Sequence, residues 1–303
     1  MTGAKKSIRI GGHAVEYSRP EKPLFPDDGL TKADLVAYYR RIAPRMLPHL
    51  RGRPLMLERH PDGIDGGAFM QKDLPDHFPD WVHHAELPKS DGSVTYVLCD
   101  DTATLVYLAG QACITPHRFL SKADRPDHPD RLVFDLDPSG DDFALVREAA
   151  RQLHTLLEEV DLPSSVMTTG SRGLHVIVPL DRRAPFDDVR AFARDLTGLL
   201  AARHPDTLTT EARKKARGDR LYLDIQRNAY AQTAVAPYAV RARPGAPVAA
   251  PVTWDDVESA ELTADHRRLA DIEELLAEDP WRDAPRRGRS LAPARRRLAA
   301  LRR

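Results

Sequence analysis

The chain has 303 residues, enough for one large or two modest domains, and its 42% hydrophobic and 30% charged residues exclude a wholly disordered polymer. No apolar run approaches the ~18 residues that span a bilayer. Forty-five basic and forty-five acidic residues cancel, which argues against polyanion binding by net charge alone.

The charged start of the chain leads into no apolar stretch, and Cys99 and Cys113 are too few for a disulfide scaffold or a thiolate zinc site. A reducing, cytoplasmic setting is expected. Residues 31–48 open with Thr31 as an N-cap candidate and carry Leu35, Val36, Tyr39 and Ile42 at helical spacing; this helix is expected to stop near Pro44. Residues 53–72 read as two short strands around Pro61-Asp62-Gly63, and the Pro/His/Asp-rich stretch 74–92 reads as irregular surface. A helix follows over 101–112 with an Asp or Thr cap. Residues 122–130 read as a connector and a subdomain boundary.

The second half is more regular. Residues 131–137 form an apolar run, a buried strand ended by Pro138-Ser139-Gly140. Residues 141–160 repeat apolar positions at helical spacing, with acids in the first turn. Two strands, 164–169 and 174–179, flank a turn at 170–173; a helix over 185–203 and a strand over 220–225 follow. The order β-α-β-β-α-β is the split βαβ arrangement of ferredoxin-like folds. Its two helices cover one face of the sheet, and its last strand lies beside its first. Two basic islands are superposed on this pattern: residues 213–220, and residues 281–303 with nine arginines and one acid. Such islands can bind a polyanion locally, although a solvated loop and a solvated tail are the plainer account of each alone.

Asp135 and Asp137 stand one residue apart on a strand, so both carboxylates leave the same face. Neighbouring ionised carboxylates need a cation or a shared proton. Oxygen donors point to magnesium or manganese. The split βαβ order puts Asp224, in an otherwise apolar strand, beside the pair. Three carboxylates on one face can hold two divalent ions about 3.5–4 Å apart, the arrangement for phosphoryl or nucleotidyl transfer. Thr168-Thr169-Gly170-Ser171-Arg172-Gly173-Leu174-His175 supports the same site, since backbone N–H groups, the Thr169 and Ser171 hydroxyls, Arg172 and His175 can contact phosphate oxygens. A plain glycine-rich hairpin is the alternative. Phe134-Asp135-Leu136-Asp137 also resembles the opening motif of haloacid-dehalogenase-type phosphatases, but Pro138-Ser139 replaces that motif's Gly-Thr and about 130 residues precede it.

With these residues in view, the chain resembles the polymerase domain of bacterial ligase D, in the archaeo-eukaryotic primase superfamily. The matching pieces are RPEKPLFP (19–26), LVFDLDPSG (132–140), TTGSRGLHVIVPL (168–180), YLDIQRN (222–228) and TAVAPYAVRARPGAPV (233–248). The resemblance implies an α+β primase-polymerase fold. Its catalytic core would be a ferredoxin/RRM-like βαββαβ unit (130–250) with an N-terminal α/β subdomain (1–125) packed on it. Residues 1–280 would form one composite domain, with 281–303 as a basic tail. It further implies a template-directed nucleotidyltransferase that uses two divalent ions (Mn2+ or Mg2+), takes NTP or dNTP, and prefers ribonucleotides.

Residue by residue, Asp135, Asp137 and Asp224 fall on the family's metal-binding carboxylates. Arg59 and His117 fall on contacts to the incoming nucleotide, and Phe69 on an aromatic that stacks near the nascent base pair. Arg172 and His175 fall on triphosphate-binding positions; Thr169, Ser171, Arg227 and Arg241 are further nucleotide-binding candidates. Lys22 and Lys32 fall on the pocket for a downstream 5′-phosphate, with Arg19 and Arg217 as other DNA contacts. The departures are Thr169 for serine, Arg172 for lysine, Met70 for a second aromatic, and Ile225-Gln226-Arg227 for Trp-Ser-Gln. They bear on ribose selectivity and the grip on the template base.

The expected partners are gapped or broken DNA with a 5′-phosphate, a separate ATP-dependent DNA ligase and an end-binding protein such as Ku. The sequence holds no Lys-x-Asp-Gly nucleotidylation motif, so a stand-alone polymerase is expected. The rival from another class is a non-catalytic module that binds or bridges nucleic-acid ends; it would line the open sheet face with aromatics rather than carboxylates.

Overall fold

The computed structural model describes residues 5–140 and 142–303. Residues 1–4, read above as lacking a signal, and Asp141, read as a first-turn acid, lie outside the described residues. The chain divides into two compact units that interleave in sequence. The first runs to Phe119 and takes back Val235–Ala250 and Arg267–Glu278; the second holds Leu120–Ala234, Pro251–His266 and Asp279–Arg303.

The first unit begins with an antiparallel hairpin, β1 (Lys5–Ile10) and β2 (His13–Ser18), and a small pair, β3 (Pro23–Phe25) and β4 (Leu30–Thr31). Helix α1 (Lys32–Leu50) is started by a capping box. The Asp34 N–H donates to Thr31 Oγ1 at 3.4 Å, and the Thr31 N–H donates to Asp34 Oδ2 at 2.7 Å. Thr31→Ala should cost about 1 kcal/mol of stability, read by chemical denaturation; an unchanged midpoint would reject the cap's contribution. The helix does not stop at Pro44. It continues through Pro44 and Pro48 because Met46, Leu47 and Leu50 carry its buried stripe onward, offsetting the missing N–H groups.

Strands β5 (Leu55–Arg59) and β6 (Phe69–Gln71) flank the expected turn. The stretch read as irregular surface ends in a hairpin, β7 (His84–Lys89) and β8 (Gly92–Val97), whose polar composition hid a weak alternation. Helix α2 (Thr102–Gly110) is capped by Asp101, which accepts from the Thr104 N–H at 2.7 Å. Strand β9 (Cys113–Phe119), which the sequence did not signal, pairs antiparallel with β5, and β5 with β6.

The second unit is a mixed α/β layer, so the molecule is α+β. After β10 (Arg131–Asp137) come α3 (Phe143–Glu159), β11 (Ser165–Thr168), β12 (Leu174–Pro179) and α4 (Phe186–Arg203). Short pieces β13 (Leu208–Thr209) and α5 (Lys214–Arg217) lead into β14 (Leu221–Asp224); β15 (Thr233–Val235) follows and is the edge strand of the separate sheet β15-β9-β5-β6. Strand β16 (Pro251–Val252) and helices α6 (Trp254–Glu258), α7 (Ile272–Ala277) and α8 (Leu291–Leu301) complete the chain, α7 lying in the first unit. The sheet order is β13-β14-β10-β12-β11-β16. Its four central strands pair antiparallel with one another, and β13 joins β14 in parallel. Leu132, Phe134 and Leu136 of β10 join the apolar core with residues of α3 and α4, which leaves Asp135 and Asp137 on the opposite face.

Two expected boundaries are corrected. Residues 235–250, expected inside the 130–250 core, pack in the first unit. There Tyr39 Oη donates to the Ile114 carbonyl at 2.6 Å and accepts from the Val240 N–H at 3.1 Å. Thr115 Oγ1 also donates to the Val240 carbonyl at 2.7 Å. Nor is 281–303 a free tail. Helix α8 buries Leu291, Ala294 and Leu298 in the core of the second unit. Arg295 and Arg297 on it, and Arg302 at its C-cap, meet acids: Asp188, Asp161 and Asp195 respectively. An arginine-rich composition hid an amphipathic helix whose charged face is partly neutralised.

Candidate active site

The second unit carries the acidic cluster. Register sets Asp135 directly opposite Asp224 on one neighbouring strand and opposite His175 on the other; Asp137 faces Tyr222. Asn228, which sequence reasoning missed, extends this edge. Its buried amide accepts from the Val133 N–H at 2.9 Å and donates to the Val133 carbonyl at 2.7 Å, mimicking a strand partner where β14 has ended. The signal was its place at the end of YLDIQRN. The Asn228 contact anchors the turn that carries Arg227, whose Nε lies 3.5 Å from Asp135 Oδ2.

The cations around the carboxylates are specific. His175 Nε2 is 3.5 Å from Asp135 Oδ1, and Arg172 Nη2 donates to Asp137 Oδ1 at 3.1 Å. Burial pushes the Asp135 carboxyl up, but His175 and Arg227 outweigh it and hold the group below its ordinary value. Asp224 goes the other way. Burial raises it first, and the charges of Asp135 and Asp137 add to that, against the Gln226 N–H and Arg227. The cluster thus holds one carboxylate short of positive charge.

Arg217 sits otherwise than its reading as a DNA contact requires. It is buried, donates to the Glu211 and Ala212 carbonyls at 3.1 and 2.7 Å, and lies 4.1 Å over the Tyr222 ring. Its Nη1 reaches within 3.8 Å of Asp137 Oδ2, the position of a buttress for that carboxylate.

The turn between β11 and β12 is built on two glycines. Gly170 takes φ +62°. A Cβ on Gly173 would stand 2.1 Å from the Leu136 carbonyl oxygen, so β10 and the turn approach as closely as glycine allows. The Thr169 hydroxyl donates to the Gly173 carbonyl at 3.1 Å and accepts the Gly173 N–H at 3.2 Å, closing the turn on itself. Ser171 and the exposed Arg172 stand at its tip.

Among the described residues, no three histidine, cysteine or carboxylate side chains converge, as positioned, into a cage for an ion. The donor set still suits a hard divalent cation. It offers three carboxylates on one sheet face, two of them directly opposed, and the Asp224 carboxyl raised by its acidic neighbours.

The first unit carries two further groups. Arg59 donates from Nε to the Gln111 carbonyl at 2.9 Å and from Nη1 to Gln71 Oε1 at 2.5 Å. Its guanidinium lies 5.9 Å from the Phe69 ring centroid, and Phe69 and Met70 are the large apolar side chains left half exposed on β6. His117, with Glu58 and His60, forms a second group, and Arg241 acts electrostatically on Glu58. Around Lys32 the charges are positive. Lys32 is buried and donates to the Ser18 carbonyl at 3.0 Å; Lys22 pairs with Asp62 at 2.5 Å. Burial, and then the charges of Arg19, Lys22 and Arg59, pull the Lys32 ammonium down to about 8.

Comparison with known proteins decides the family. The family model described as "LigD, primase-polymerase domain" matches residues 31–281. The chain belongs to the LigD primase-polymerase domain family. As such it is a DNA-directed nucleotidyltransferase by class. It is 34% identical over 269 residues to the multifunctional non-homologous end joining protein LigD of Mycolicibacterium smegmatis, covering 87% of this chain and 35% of that protein. The corresponding Pseudomonas aeruginosa protein is 32% identical over 313 residues, 98% of this chain and 36% of that one. The chain therefore spans about a third of the length of these curated LigD relatives. The solved polymerase domain of Mycobacterium tuberculosis ligase D, in complex with DNA, superposes with a TM-score of 0.82 at 31% identity. That match covers 89% of this chain and 98% of that one.

Proposed function

We propose that the chain extends a primer strand on a DNA template during repair of breaks or short gaps, by end joining or excision repair. The observation that carries this reading is the opposition of Asp135 and Asp224 across β10 and β14, with Asp137 on the same face. The second unit's central strands, in the order β14-β10-β12-β11, would be the RRM-like catalytic core of this family. Asp135, Asp137 and Asp224 would hold two divalent ions, magnesium or manganese, which when bound offset the charge of a primer 3′-hydroxyl attacking the α-phosphate and of departing pyrophosphate.

The other roles fall to the chain's own side chains. Arg172 and His175 bind triphosphate oxygens, while Ser171 and the backbone of its turn approach the same anion. Arg227 orients Asp135, and Arg217 buttresses Asp137. On the first unit, His117, Arg59 and Arg241 contact the incoming nucleotide and Phe69 stacks near the nascent pair. Arg19, Lys22 and Lys32 form the 5′-phosphate pocket. The product strand would pass to an ATP-dependent ligase, with a Ku-type protein holding the ends. The work would be done at the nucleoid. Among the described residues no helix is long and apolar enough to cross a membrane.

The deciding experiment mixes protein, gapped DNA, manganese and labelled nucleotide. Primer extension supports the reading; binding without extension hands it to the end-bridging alternative. Ribonucleotides should be favoured over deoxyribonucleotides by roughly tenfold, low on the scale of polar discrimination, because Thr169 is engaged with Gly173. Equal kcat/KM for the two sugars rejects that preference.

A further inference from the structure

Glu58 is a carboxylate in a place that must be justified. It lies on β5 with its side chain 15% exposed, and both of its oxygens are taken by imidazoles. Oε2 is 2.9 Å from His117 Nε2, and Oε1 is 3.2 Å from His60 Nε2. A carboxylate can only accept, so each ring must present an Nε2–H to it. The His60 ring is buried and its Nδ1 has no hydrogen-bond partner among the described residues, which favours the tautomer with the proton on Nε2. Burial alone would push the Glu58 carboxyl up. The two imidazole hydrogen bonds and the charge of Arg241 hold it far below the ordinary carboxylate range, so it stays an acceptor at working pH.

A half-buried strand pair has cheaper ways to fill this volume. Removing a carboxylate from water costs several kcal/mol unless every oxygen is satisfied. Satisfying it here takes two histidines from two places, one of them on β9 beside the nucleotide-contact reading. When a carboxylate accepts from one ring nitrogen, it fixes which tautomer the ring adopts and which way the ring points.

We propose that Glu58 is the positioning residue of His117, with His60 clamping the carboxylate's second oxygen, so that one tautomer and one ring orientation meet the incoming nucleotide. The role rests on the reading of His117 as a nucleotide contact. His60 acts at one remove and touches neither the nucleotide nor the metal-binding face in this scheme.

The test is a double-mutant cycle in primer extension, with nucleotide KM and kcat measured separately for His117→Ala, Glu58→Ala and the pair. Each single change should raise nucleotide KM about tenfold and leave kcat within about threefold, the scale for losing an imidazole's outer partner. The pair should be no worse than His117→Ala alone. Glu58→Gln, which keeps an acceptor oxygen at the same site, should recover part of the loss and guards against a fold defect in the alanine variant. An additive pair, or a Glu58→Ala enzyme with wild-type KM beside an impaired His117→Ala enzyme, overturns the proposal. Nitrogen-15 spectra of the His117 ring separate this from the reading beneath it. If His117→Ala leaves KM unchanged, the nucleotide contact fails, yet loss of the Nε2–H signature in Glu58→Ala still supports positioning. Persistence of that signature overturns it.

Discussion

Asp137→Ala should lower primer extension by on the order of 10^3-fold or more, while affinity for gapped DNA stays within about threefold of the wild type. On the proposed reading the carboxylate would serve the reacting phosphate through bound metal, whereas attraction for the duplex would come from basic side chains elsewhere. Asp137 is a cleaner probe than Asp135. Asp135 is 15% exposed and partners the exposed Arg227 and the buried His175, so its loss would strand a buried ring and mix a stability defect into the rate. Asp137 is 35% exposed; its partner Arg172 reaches solvent, and its buried neighbour Arg217 keeps hydrogen bonds to the Glu211 and Ala212 carbonyls. Truncating Asp137 relieves Arg172 and Arg217 of an anion, so DNA affinity should hold or rise slightly. Single-turnover extension and fluorescence anisotropy, run with a thermal melt, separate these effects. Extension near the wild-type rate would remove Asp137 from the site; collapse of binding with an intact fold would assign the carboxylates to DNA rather than metal.

The carboxylate face was legible because the second half of β10 alternates, Phe134 and Leu136 against Asp135 and Asp137, with buried Val133 the apolar exception on the carboxylate side. Once the split βαβ order is read, the neighbour relation of β10 and β14 follows, and so does the place of Asp224. What the sequence hid has a common cause. Strand β9 contains Pro116, His117 and Arg118, and its burial depends on partners such as Tyr39, 75 positions before Ile114, and Val240, 125 positions after Thr115. No local period reports such partners. The same holds for Asn228 and Arg217, whose roles come from carbonyls and rings that only the fold supplies. Pro44 misled because the cost of a proline inside a helix is a local quantity, and the buried stripe that offsets it is not.

A downstream 5′-phosphate should tighten binding to gapped DNA by about 10- to 100-fold, and Lys22→Ala/Lys32→Ala should remove most of that preference. The gain corresponds to roughly 1–3 kcal/mol, the range for charge-assisted hydrogen bonds. Lys22 and Lys32 are two of nine lysines in a chain whose cations are mostly arginine. A compact ammonium meets a terminal phosphate as a point charge, and a terminal phosphate carries more charge than an internal diester. Lys32 adds a pH signature. Its ammonium is held down to about 8 by burial and by Arg19, Lys22 and Arg59. It is therefore charged below that pH and loses its charge on the way to 9, earlier than an ordinary lysine near 10.4. The phosphate's second ionisation, near 6, is about nine-tenths complete by pH 7 and works against the loss, adding a little charge rather than removing it. The phosphate preference should accordingly weaken between pH 7 and 9.5, with the midpoint moved above 8 by the bound anion itself. Lys22 must also leave its 2.5 Å pair with Asp62 to reach a phosphate. Asp62→Asn should therefore strengthen the preference by a few-fold, a sign opposite to that of the lysine changes. Wild-type protein that binds phosphorylated and unphosphorylated gaps equally would end the assignment. A preference that survives Lys22→Ala/Lys32→Ala would move it to Arg19 and Arg59, the remaining cations of the cluster.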